Sequence, residues 1–412
     1  MYDLYDIFVN MIHDVLSGIF KIMNNDNNYY KNIMTDTNNL IYGFNKSKKS
    51  SQWKSSVQNY DLHILENTEE LREKLDNMTY RTSNCSQFVI NERGKDRFIR
   101  SNSITDKQVR RVLCDKILSP ILKKYLIYDN GASIKGKGVS FTRKRIETHL
   151  HKFYRKNKSN KGYILLIDFS KFYDNIRHDK MYDIFKKYID DDYVLWLIKD
   201  ALDSMKIDVS YMTDEEYNEA FYGKYDSLHS IPCNDGMKYL HKSMSIGDQI
   251  SQISGILFPS RIDNYCKIVK GIKYYGRYMD DIYIISNDKK FLNDILHDIR
   301  NIADDMGLFI NEKKTSIQPL WKPFKYLQIR YTLTDTGKVI KRINPKTVTR
   351  MRRKLKKLSV KVSNGEIDVS SVENTYKSWI GSNRKIMSKK QIGSMNKLYD
   401  ELFRCHNTKQ KK

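Results

Sequence analysis

Two adjacent carboxylates, Asp280 and Asp281, interrupt the run Tyr-Tyr-Gly-Arg-Tyr-Met-Asp-Asp-Ile-Tyr-Ile-Ile at 274–285. Their flanks are apolar and β-prone, which predicts two buried strands joined by a tight turn. Two like charges side by side in such a place oppose each other's ionisation, and burial adds to the cost. A hard divalent cation relieves both and can hold phosphates as well. An Asp-Asp pair alone is a common solvated turn, and Asp190-Asp191-Asp192 reads that way because it lacks strand flanks. The hairpin therefore needs a third, distant acid. Tyr-Ile-Leu-Leu-Ile-Asp at 163–168 supplies one, an apolar core strand with Asp168 at its C-terminal mouth. Taken alone, Asp168 also reads as a helix N-cap. With the hairpin, three aspartates can bind two metal ions, one activating a 3′-hydroxyl and the other stabilising a leaving pyrophosphate.

The segments 165–176 (LLIDFSKFYDNI) and 278–281 (YMDD) resemble motifs A and C of reverse transcriptases. Further blocks follow in that family's order. Residues 95–113 (KDRFIRSNSITDKQVRRVL) and 128–141 (YDNGASIKGKGVSF) resemble the fingers blocks, and 245–252 (SIGDQISQ) resembles motif B. Residues 307–315 (GLFINEKKT) resemble motif D, and 324–329 (FKYLQI) the primer-grip motif E. The resemblance spans roughly 65–330. Within the family it is nearest to the bacterial group of retrons, group II intron enzymes, diversity-generating retroelements and defence-associated enzymes. Motif B departs from the common form, with Ile246 before Gly247 and Ser251-Gln252 at its end, as in diversity-generating and some defence-associated lineages. Motif E has Gln328 where a glycine is usual.

The resemblance implies roles residue by residue. Asp168, Asp280 and Asp281, with the backbone carbonyl of Phe169, would hold two Mg²⁺ ions, with Mn²⁺ as a substitute. Tyr173 stands at the steric-gate position, where a ring excludes a ribose 2′-hydroxyl. Its bland alternative is a core aromatic. Gly247 and Gln252 of motif B would lie at the incoming nucleotide. Arg97 and Arg100 suit triphosphate oxygens, since guanidinium forms charge-assisted pairs with them. Lys314 matches the motif D lysine, a candidate proton donor to pyrophosphate, with Lys313 beside it as a competitor.

Charge agrees with a polyanionic partner. The 412 residues carry 73 Lys+Arg against 49 Asp+Glu, a formal net charge of +24. Basic runs recur at 135–145, 152–161 and 350–361, and 12% aromatic content, mostly Tyr, offers rings for stacking on unpaired bases. In the last run Met351, Leu355, Leu358 and Val362 recur at helical spacing. Arg350, Arg352, Arg353, Lys354, Lys356 and Lys357 fill the other faces, as a helix gripping a nucleic-acid backbone requires. Membrane-surface binding is the alternative, without a hydrophobic span or signal peptide to support it.

The elements that must position these groups follow from pattern. The expected fold is α/β (α+β): a right-hand polymerase with fingers, a palm built on a ferredoxin-like mixed sheet, and a helical thumb. The expected division is an N-terminal helical extension with a polar connection (1–64), fingers (65–160), palm with motifs A to E (161–330) and basic thumb (331–412). Residues 1–23 carry an apolar helical pattern suited to docking or to an oligomer contact. The Asn/Lys/Ser-rich stretch 24–59 reads as a mobile connection, and 204–243 is polar and opaque. The five scattered cysteines form no CxxC pair and fit a reducing bacterial cytoplasm.

The expected activity is RNA-directed DNA synthesis from dNTPs, in antiphage defence, with an RNA template, a DNA product, a dedicated non-coding RNA and a partner protein, and no membrane. Three alternatives stand beside it: the polymerase of a diversity-generating retroelement, a non-catalytic RNA-binding module on the same fold, and untemplated or protein-primed synthesis from a Tyr or Ser hydroxyl.

Overall fold

The computed structural model describes residues 28–407 except 84 and 93. The apolar pattern at 1–23 lies outside the described residues. The stretch 24–59, expected as a mobile connection, is instead helical from residue 29 onward, with helices Tyr29–Thr35, Thr37–Ser47 and Ser55–Leu62. Its apolar residues are few, but they are spaced to bury. Met34, Leu40 and Phe44 are fully enclosed, and Val57 and Tyr60 nearly so. Asp36 caps the second helix, its carboxylate accepting from Asn39 N at 2.8 Å. Gly43 lets that helix approach Ile104–Val112 so closely that a Cβ there would sit 2.7 Å from the Gln108 carbonyl oxygen. Tyr60 closes the interface by donating to Gln108 Oε1 at 2.6 Å.

The central sheet has four strands in the order Ser316–Pro319, Tyr163–Ile167, Asp281–Ser286, Tyr275–Tyr278. The first pair is antiparallel, with Ser316 opposite Leu166. Ile164, Leu165 and the run Ile282–Ile285 are buried, as continuous apolar runs predict for central strands. A separate three-stranded antiparallel sheet joins Phe324–Tyr326, Ile329–Leu333 and Val339–Ile343.

The chain divides into two compact units. The first takes in the described residues up to 142 with 167–282 and 293–315; the second takes 143–166, 283–292 and 316 onward. The second holds a helical core in which Met351 and Leu355 pack with Tyr376, Met395 and Phe403, with Leu358 and Val362 against it. That is the apolar face expected of the basic helix, which runs Pro345–Ser363. Among the described residues no helix is long and apolar enough to cross a membrane.

The opaque segment 204–243 has a small core of its own. Ile207–Asp208 pairs with Tyr239–Leu240, and the helix Asp214–Tyr222 begins in a capping box of Thr213 and Glu216. Ile207, Val209, Ala220, Tyr225 and Leu240 bury together. Lys242, itself buried, closes the helix C-terminus by donating to the carbonyls of Ala220, Phe221 and Gly223. Of the acidic triplet, Asp191 is more than a turn residue. It caps the helix Asp192–Asp203, accepting from Val194 N at 2.8 Å.

Candidate active site

The acidic hairpin forms as expected, with Tyr275–Tyr278 and Asp281–Ser286 as its strands and Met279-Asp280 as the turn. A two-residue turn needs positive φ, and Met279 supplies it at +54° without being glycine. The strain is held by Arg277, which has no solvent exposure. Its guanidinium grips Asp263 through Nε–Oδ1 at 2.8 Å and Nη2–Oδ2 at 2.6 Å, and donates from Nη1 to the Met279 carbonyl at 3.0 Å.

Asp168 follows the strand Tyr163–Ile167 and caps no helix. Its Oδ2 accepts from Lys314 Nζ at 2.6 Å and from Asn311 Nδ2 at 3.1 Å. Asn311 also donates its backbone N–H to the Asp168 carbonyl at 2.8 Å. The short ladder that aligns them pairs Phe169 with Ile310 and Ser170 with Phe309. Of the two adjacent lysines it is Lys314 that reaches the acid, while Lys313 points to solvent.

Burial, and then the negative charge of Asp168, push the Asp280 carboxyl above the usual carboxylate range, while Lys314 and Arg97 pull the other way. The negative charge of Asp168 thus reaches Asp280, and Asp281 stands at the start of the next strand. Among the described residues no three His, Cys, Asp or Glu side chains converge closely enough to enclose an ion by themselves. Two repelling carboxylates still fit a divalent ion that draws its other ligands from water and phosphate oxygens, the habit of Mg²⁺.

Tyr173 lies in the turn Tyr173–Asn175, its hydroxyl 3.8 Å from Met279 Sδ and pushed up chiefly by burial, then by Asp280. Its ring passes over Gly255 of the helix Gln249–Leu257, where a Cβ would fall 2.7 Å from the Tyr173 oxygen. Gly247 occupies the turn before that helix at φ +101°, Asp248 caps it by accepting from Ile250 N at 3.0 Å, and Gln252 is exposed on it.

The arginines of the strand Lys95–Ser101 part company. Residues three apart on a strand face opposite sides. Arg97 is exposed and pairs with Glu92 at 2.9 Å. Arg100 turns inward, donating to the carbonyls of Met205 and Ser243. Arg100, read from the sequence as suited to triphosphate oxygens, is instead spent inside the fold, joining the strand to the segments around 205 and 243. Arg350, Arg352, Arg353, Lys354, Lys356 and Lys357 are all exposed on Pro345–Ser363, in the second unit. Asn311, Gly255 and Arg277 were not singled out from the sequence. Gly255 left a signal, a glycine inside an apolar helical pattern; Asn311 and Arg277 left none beyond lying in the motif D and hairpin segments.

A family profile described as "Reverse transcriptase (RNA-dependent DNA polymerase)" matches residues 89–331. No curated protein sequence matches the chain. Many solved structures do; among them is one described as apo telomerase from Candida tropicalis, at 14% identity and a TM-score of 0.43, over 63% of this chain and 48% of that one. The chain thus spans about half the length of that structure's chain.

Proposed function

Since the chain belongs to the reverse transcriptase family and has that family's right-hand polymerase fold, we propose that it is an RNA-directed DNA polymerase and that Asp168, Asp280, Asp281 and Lys314 form its catalytic centre. The observation that carries this is the pair Lys314 and Asn311 held on the Asp168 carboxylate, whose charge in turn acts on Asp280. Reverse transcriptase domains use divalent metal ions generally. Two Mg²⁺ ions, held by Asp168, Asp280, Asp281 and the Phe169 carbonyl, would neutralise the phosphates and lower the pKa of the primer hydroxyl.

The remaining work falls to the chain's own side chains. Asn311 fixes the rotamer and the main chain of Asp168, so that carboxylate is oriented before substrate arrives. Lys314 balances the charge of Asp168 and carries a proton at Nζ that can pass to the leaving pyrophosphate oxygen. The Tyr173 ring, seated over Gly255, bars a 2′-hydroxyl and so selects dNTPs. Gly247 and Gln252 border the incoming nucleotide, and Arg97 lends its positive charge to the site. The exposed cations at 350–357 grip the backbone of the primer–template duplex.

Within the family we assign the chain to the bacterial group, as a stand-alone antiphage-defence enzyme that copies a dedicated or partner RNA. The I-G-x-x-x-S-Q form of motif B supports that group, and the free thiols of Cys85, Cys114, Cys233 and Cys266 accord with a cytoplasmic site. The same motif supports a diversity-generating retroelement as the second reading. RNA and DNA co-purifying from host cells, sequenced beside an Asp280→Ala/Asp281→Ala control, separate the two. A defined cDNA lost in the control is expected. Mutated copies of a neighbouring repeat would select the second reading, and RNA without DNA in both preparations would overturn the polymerase assignment.

A further inference from the structure

The second unit carries a basic groove separate in its lining from every residue assigned to catalysis. In the three-stranded sheet Lys325 stands opposite Arg330, and Arg330 opposite Arg342. Their neighbours Phe324, Tyr326, Ile329, Tyr331 and Ile343 turn inward and are buried, so the three cations stand exposed in one row across the other face. Like charges in directly opposed positions destabilise a sheet, and none of the three has a carboxylate partner among the described residues. Arg330 and Arg342 line a cavity of about 980 Å³ together with Arg352, Lys385, Lys390 and Trp321, and no Asp or Glu lines it.

Two features give the groove direction and chemistry. Arg352 and Ser394, joined by a 2.8 Å hydrogen bond, also line a second hollow of about 470 Å³ with Arg353, Lys356, Lys397 and one acid, Glu401, 3.9 Å from the Lys397 ammonium. The two hollows adjoin at that pair, so the groove extends beyond a single anion pocket, which suits a chain of phosphates. Trp321 is 41% exposed, and its ring is held edge-on against Tyr163 at 5.7 Å, leaving an indole surface open at the groove. A cationic groove with a fixed aromatic ring is the arrangement that holds unpaired strands, the backbone by charge and a base by stacking.

We propose that this groove binds a single-stranded segment of RNA, with its phosphates along Arg330 and Arg342 and an unpaired base stacked on Trp321. The inference goes beyond the polymerase reading and does not need it. A strand held here would tether an RNA whether or not the catalytic centre copies it.

The test measures binding of fluorescent 20-nucleotide RNA to the full chain by anisotropy, without dNTPs and in an Asp280→Asn background, so failure of polymerisation leaves it readable. Matched probes are a blunt duplex of the same sequence and an abasic strand, and the thermal midpoint of each variant checks folding. Trp321→Ala is expected to weaken the single strand by roughly 10-fold, within the range for one stacked base, and to leave the duplex and the abasic strand unaffected. Arg330→Gln/Arg342→Gln is expected to weaken both single strands and to flatten the logarithmic salt dependence by about 1.4, at about 0.7 for each phosphate no longer neutralised. Equal weakening of the duplex would make the groove part of the duplex grip and overturn the proposal. Unchanged affinity in both variants, or displacement of the RNA by polyglutamate of equal charge, would overturn it too.

Discussion

Asn311 holds Asp168 at two points, donating its side-chain amide to Oδ2 at 3.1 Å and its backbone N–H to the carbonyl at 2.8 Å. The carboxylate that opens the proposed catalytic centre is thereby oriented from both its main chain and its side chain. Asn311→Ala is expected to lower kcat by roughly 10- to 100-fold, the usual effect of losing a group that orients a metal ligand. The backbone bond survives in the variant, so its folding should match the parent. Steady-state extension at varied dNTP checks this: a change confined to KM would remove the orienting role.

Arg277 is a second support, beneath the hairpin turn. Removing it leaves Asp263 buried without its partner and frees the strained Met279 carbonyl. Arg277→Ala should cost about 3–5 kcal/mol of stability, the usual penalty for breaking a buried pair. Arg277→Lys should recover only part, because one ammonium cannot reproduce the forked geometry. Urea unfolding of the two variants reads the difference. Equal, small losses would mean the turn is held elsewhere.

Tyr173 and Gly255 should act as a pair. Tyr173→Ala is expected to reduce the preference for dNTPs over rNTPs by roughly 10- to 200-fold, as expected when a pocket wall that excludes one small group is removed. Gly255→Ala puts a Cβ 2.7 Å from the Tyr173 oxygen and 3.2 Å from the ring carbon that carries it. It should disturb selection alone, and less so when combined with Tyr173→Phe, which removes the nearer atom. Additive effects in that double-mutant cycle would separate the two residues.

His178 predicts a pH dependence. Burial holds its imidazole down to about 3 in the folded chain, against about 6.5 when exposed. The unfolded state therefore binds more protons between those values. The folded-state pKa is depressed, so the stability is fully present above about pH 6.5 and falls as pH drops toward 3. Between pH 7.5 and 5.5 this one group should cost about 1.4 kcal/mol. Urea midpoints of the parent and His178→Gln at both pH values measure it as the difference of slopes. Parallel slopes would show that His178 charges in the folded chain.

How much was legible beforehand varied with the kind of signal. The acidic hairpin and the strand before Asp168 were readable because continuous apolar runs ending in acids leave few alternatives. The amphipathic helix at 345–363 was readable from spacing alone. Residues 29–62 were not, because five well-placed apolar side chains among many Asn, Lys and Ser give a weak periodic signal, while tertiary burial decides the outcome. Arg100 was read from guanidinium chemistry alone, which does not tell a buried arginine from an exposed one, although a spacing of three on a strand puts it on the face opposite Arg97. Asn311 acts through the fold and not through a pattern, so only the ladder between 169–170 and 309–310 reveals it.

The central claim is tested most directly by extending a short DNA primer on an RNA template with dNTPs and Mg²⁺, comparing the parent chain with Asp168→Asn and Asp280→Asn. The account predicts template-dependent DNA synthesis by the parent and a loss of at least about 10³-fold in each variant, as when a group acting in the transition state is removed. Synthesis that survives either substitution, or that ignores the template sequence, would contradict it.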